Sequence, residues 1–114
     1  MLYRTFSLLT YVPLALLLLV NEAAEARTSG IDRGLRFAEE NCSRCHAVGP
    51  RGSSPVEASP PFRTLRRYLS MKDLAYKLTN GELGDHPVMP HWLIDPEDVK
   101  DLVSYIETIQ TKRR

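Results

Sequence analysis
The stretch Asn41-Cys42-Ser43-Arg44-Cys45-His46 holds both cysteines of the chain and one of its three histidines. It closes a segment of helical period. Ile31, Leu35 and Ala38 recur along one face of a helix running from about Gly30 to Asn41, Ser29 is placed to cap it, and Gly34 lies on the same face. A glycine inside a helix costs about 1 kcal/mol relative to alanine, so Gly34 between Ile31 and Ala38 predicts a second helix crossing there at close range. If the helical turn runs on past Asn41, Cys42 and Cys45 stand at i and i+3 and His46 at i+4. Both sulfurs and the imidazole then project from one side.

The far end of the chain carries the clearest helix signals. Asp95 is an N-cap, Pro96 takes N1, Glu97 and Asp98 fill the first turn, and Lys112, Arg113 and Arg114 complement the dipole at the finish. Val99, Leu102, Val103, Ile106 and Ile109 form its apolar face, with Tyr105 beside it. Between the two ends, Ser70-Met71-Lys72-Asp73 reads as a capping box opening a helix to about Thr79, stopped by Asn80-Gly81. Pro61 to Tyr68 reads as one more short helical turn, and Val48 to Pro61 is a proline-rich loop. No segment keeps a period of two. The fold class is therefore all-α, about four short helices with sizeable loops.

With 114 residues, 43% hydrophobic and 25% charged, the chain suits one small domain. A net charge of +1 supplies no basic field, which disfavours dedicated nucleic-acid binding. Residues 6–20, FSLLTYVPLALLLLV, carry no charge. This run falls short of the roughly 20 residues of a membrane-spanning helix. Arg4 before it and Ala24-Glu25-Ala26 after it fit a secretory leader at residues 1–26, cleaved after about Ala26. The exported domain is then residues 27–114, periplasmic, monomeric and without a membrane segment. A core that small is helped by a bound apolar group.

Two thiols and an imidazole offered from one turn are what covalent haem attachment uses: the sulfurs add to the two vinyl groups and the imidazole reaches the iron. Zinc is a rival, but its other ligands, His86 and His91, are about 40 residues on, and His46 would have no role. A redox-active dithiol is a second rival. That chemistry favours the strand-to-helix junction of a βαβ unit, and no strand is expected here.

The chain resembles a small class I c-type cytochrome of the bacterial periplasm. The residues that carry the resemblance are Gly34-x-x-Phe37, Cys42-x-x-Cys45-His46, Pro60-Pro61-Phe62, His86-Pro87-Val88-Met89-Pro90 and the Leu102 to Ile109 helix. It implies one covalent haem c on Cys42 and Cys45, almost buried, with the first and last helices crossing at Gly34 and Tyr105. It also implies a proline carbonyl receiving the His46 ring N–H. Gly49-Pro50 and Pro60-Pro61 both offer one.

His46 is the expected axial ligand on one side of the iron. Met71, His86, Met89 and His91 compete for the other. Met71 opens a helix, where a thioether is core filler. Met89 precedes Pro90, which biases it to an extended loop conformation, and the family's ligand methionine sits at such a Met-Pro step. Met89 is the reading adopted. Trp92 is placed to close the pocket or donate to a haem propionate, and Arg63, Arg66, Arg67 and Tyr68 form a cationic cluster, each member placed to meet a propionate or solvent. Arg44 and Arg51 flank the attachment site, where they would steer an acidic partner weakly. The function implied is single-electron transfer between redox proteins. A dedicated electron-accepting subunit of a periplasmic dehydrogenase is the alternative, and a five-coordinate haem enzyme or sensor a more distant one.

Overall fold
The computed structural model describes residues 29–83 and 93–111. Residues 1–28, including the stretch read as a leader, residues 84–92, with His86, Met89, His91 and Trp92, and residues 112–114 lie outside the described residues. Among the described residues, helix α1 takes in residues 29–41, and a 3-10 helix covers Phe62–Arg67, α2 Met71–Asn80 and α3 Pro96–Thr108. No strand occurs among the described residues, and none of their helices is long and apolar enough to cross a membrane.

Local chemistry accounts for most of these limits. Ser70 Oγ accepts from the Asp73 amide at 3.0 Å, and Gly81, at φ 66°, donates its N–H to the Lys77 carbonyl. A left-handed C-cap of this kind is cheapest for glycine. Asp95 Oδ1 accepts from the Glu97 amide at 3.0 Å, with Pro96 following at N1. Two boundaries differ from the sequence reading. Ser29 is already helical and is not the cap of α1; its hydroxyl lies 3.2 Å from Arg33 Nη1. Helix α3 stops at Thr108, before the basic residues expected to end it. Side chains supply donors to its last carbonyls: Thr108 Oγ1 to Tyr105 and Gln110 Nε2 to Ile106. The Gln110 amide also donates to the Phe62 carbonyl, so the same residue fastens the 3-10 helix to α3.

The core gathers Ala38 of α1, Phe62 and Leu65, the α2 residues Met71, Leu74 and Leu78, then Ile94, and Val99, Leu102, Tyr105 and Ile106 of α3. Leu102 and Ile106 are each 1% exposed. Val103 and Ile109, read as part of the α3 face, are partly buried and packed against this core, and an acid on the same helix is buried as well. Asp101 is 9% exposed and accepts from Arg33 Nε at 2.5 Å and Nη2 at 3.2 Å. Both ends of that bridge belong to one crossing. A Cβ on Gly34 would collide with the Asp101 carbonyl and stand 2.9 Å from the Leu102 nitrogen. Only hydrogen at Gly34 lets α1 and α3 touch backbone to backbone.

Candidate functional site
The winding of α1 does not stop at residue 41. The Cys42 amide donates to the Ala38 carbonyl at 2.9 Å, and the Cys45 and His46 amides both donate to the Cys42 carbonyl, at 3.2 and 3.0 Å. Cys42, Cys45 and His46 therefore share one turn, the condition on which the sequence reading rested, and all three are half-buried. Neither thiol is in a disulfide. Burial, with the neighbouring Cys45 second, pushes the Cys42 thiol up to about 11. A dithiol that exchanges disulfides works through a depressed thiol, so this shift runs against the redox-pair reading.

The loop after His46 folds back to hold it. His46 Nδ1 lies 2.8 Å from the Pro60 carbonyl oxygen. An oxygen of that kind only accepts, so Nδ1 carries the proton, and a neutral ring so held has its lone pair on Nε2, the form that binds a metal. Of the two proline pairs, Pro60-Pro61 is the one that serves. The Phe62 ring lies 5.2 Å from the imidazole, tilted by 44°, and the Phe62 amide donates to the Ala47 carbonyl at 3.0 Å. Ser54 Oγ accepts from the Ala47 amide at 3.0 Å, the Val56 amide donates to the Cys45 carbonyl at 3.2 Å, and the Tyr105 hydroxyl donates to the Val48 carbonyl at 2.8 Å. Four of these bonds come from the stretch that follows His46, and the one from Tyr105 comes from α3.

The cationic cluster separates into different roles. Arg66 bonds Glu107 at 2.6 Å, while Arg67 and Tyr68 are exposed. Arg63 Nη1 is buried and, among the described residues, is the single buried side-chain polar atom without a hydrogen-bond partner. Such a donor calls for an acceptor, preferably an anion.

Residues 29–106 match the family described as cytochrome c oxidase, cbb3-type, subunit III. The chain belongs to this family of c-type cytochromes. Neither the curated proteins nor the solved structures contain a match to it. Its cofactor is accordingly covalent haem c, and Cys42 and Cys45 have the CxxCH spacing that goes with it. The described residues fit that group: two thiols and an imidazole on one turn, the imidazole donating its Nδ1–H to the Pro60 carbonyl, and a buried guanidinium N–H of Arg63 of the sort a haem carboxylate satisfies. Met89, and with it His86, His91 and Trp92, lies outside the described residues. Met71, the competing methionine, is buried in the core cluster at the start of α2, in keeping with a packing role.

Sequence reasoning missed Ser54, Asp101 and the partner of the Tyr105 hydroxyl. Ser54 is one of several small polar residues in a loop without period, and nothing in the sequence distinguishes it. Asp101 does carry a signal: it is an acid between Val99 and Leu102, on a helix whose crossing partner offers Gly30 and Gly34.

Proposed function
We propose that this electron-transfer cytochrome is an exported, periplasmic, single-haem carrier, in which Cys42 and Cys45 would hold the haem covalently and His46 and Met89 would bind its iron. The observation that carries the reading is the hydrogen bond from His46 Nδ1 to Pro60, made on the same turn as both thiols. Bound haem supplies one-electron Fe(III)/Fe(II) chemistry. The chain's own residues hold the imidazole in one tautomer and one orientation, and Phe62 and the core shield it from water. Donating Nδ1–H to a carbonyl makes the imidazole more basic, which strengthens its bond to iron. A thioether from Met89 favours the ferrous state relative to a second imidazole, which makes the potential positive. A protein whose iron has two strong side-chain ligands offers no open position for substrate, so we assign it no reaction beyond electron transfer.

Expression with haem-maturation enzymes should give a red protein whose haem resists acid–acetone extraction and whose amino terminus is Arg27. The far-red charge-transfer band of methionine-ligated ferric haem should vanish in Met89→Ala and persist in Met71→Ala. Extractable haem overturns the thioether assignment, and rapid carbon monoxide binding by the reduced wild type overturns the closed iron. The family's description as an oxidase subunit favours a second reading, in which the cytochrome serves one membrane oxidase as a fixed subunit. Co-purification of a stoichiometric oxidase from native membranes would decide for it over a free carrier or a dehydrogenase subunit.

A further inference from the structure
The segment from His46 to Val48 has no regular secondary structure, and a bond from α3 reaches its backbone from outside the loop. Pro60, Phe62, Ser54 and Val56 all bond to the turn and this segment from within the stretch that follows His46 in sequence. The Tyr105 hydroxyl instead reaches the Val48 carbonyl from α3, across 57 positions of sequence, at 2.8 Å. Tyr105 is 6% exposed and lies one helical turn from Leu102, where α3 meets Gly34. The crossing that sets the relation of α1 to α3 is thereby linked to the residue two positions beyond the imidazole.

We infer that Tyr105 is a positioning residue for His46: its hydroxyl fixes the Val48 carbonyl and so the backbone from which the imidazole is presented to Pro60. This rests on the reading of His46 as an iron ligand. The aromatic ring fills the core at the crossing, whereas the hydroxyl adds nothing to apolar packing. The two contributions are separable, because Tyr105→Phe keeps the ring and removes the donor. Val48 then keeps a half-buried carbonyl without that partner, and the 46–48 backbone gains freedom to open locally.

The test measures hydrogen exchange of the His46 Nδ1 proton by NMR in the complete haem protein, in wild type, Tyr105→Phe and Ile106→Val. The last variant weakens the same helix and leaves the Tyr105 hydroxyl in place. Exchange should be about fivefold faster in Tyr105→Phe than in Ile106→Val, the ratio that loss of one ordinary hydrogen bond gives to a local opening. The reduction midpoint should move in Tyr105→Phe alone. Equal exchange and equal midpoints in the two variants overturn the positioning role. A second measurement does not depend on the folding of Tyr105→Phe: uniform 3-fluorotyrosine makes the hydroxyl a stronger donor and should slow the exchange, and unchanged exchange again overturns the proposal. The paramagnetic shift of the His46 ring proton in the ferric protein separates the two layers. Its absence overturns His46 as ligand and this proposal with it, whereas a shifted proton with unaltered exchange overturns only the role of Tyr105.

Discussion
Gly34 shows how much a single hydrogen atom decides. Helix propensity alone would reward Gly34→Ala by about 1 kcal/mol. The methyl would instead be driven into the Asp101 carbonyl, and opening the crossing to admit it should cost about 3 kcal/mol, seen as a lower urea midpoint of the haem protein. The crossing is legible in the sequence, because a glycine on an apolar helical face sacrifices both helix propensity and packing area unless another backbone comes close. What lies opposite is only partly legible: the acid between Val99 and Leu102 is visible, but its partner Arg33 lies 68 positions away. Tyr105 carries a pH consequence at the same scale. Burial, and then the charge of Glu39, raise its phenol above the ordinary value. The neutral form is the one favoured in the fold, so this contribution is complete below the unfolded value of about 10 and is lost as pH climbs through the raised folded value. Alkaline unfolding curves should therefore be shallower in pH for Tyr105→Phe than for wild type.

Among the elements, α2 was the most fully legible, because both of its ends are marked by side chains with one mechanical job each. Ser70→Ala should lower stability by about 1 kcal/mol through the loss of the cap to Asp73, and Gly81→Ala by a similar amount through the strain of a left-handed residue, both measurable in denaturant. Helix α3 was legible at its start and not at its finish. Its end depends on Gln110 and Thr108 reaching back, and on contact with the 3-10 helix, neither of which a hydrophobic period records. The attachment turn was legible because three rare residue types are fixed at i, i+3 and i+4. The hydrogen bonds that orient His46 come from a loop without period, so Pro60 was one of two candidates and Ser54 was invisible.

At the scale of the whole molecule, the nearly balanced charge limits how strongly a partner is steered. Electron-transfer rates with a redox partner should change less than about tenfold between 50 and 200 mM salt in stopped-flow measurements. A steeper dependence would mean that Arg44 and Arg51 act together as a local patch. The loop that returns to His46 has one more consequence. Its base is closed by Val56 to Cys45 and by Phe62 to Ala47, while residues 50–53 are exposed and a side chain at Gly49 would meet nothing within 4 Å. Its tip is tied back at Ser54, whose Oγ accepts from the Ala47 amide, so only residues 50–53 stand clear of the segment that holds the imidazole. A peptide spliced between Arg51 and Gly52, in this exposed stretch, would give the cytochrome a handle for an electrode or a new protein, provided the Ser54 bond to Ala47 is kept.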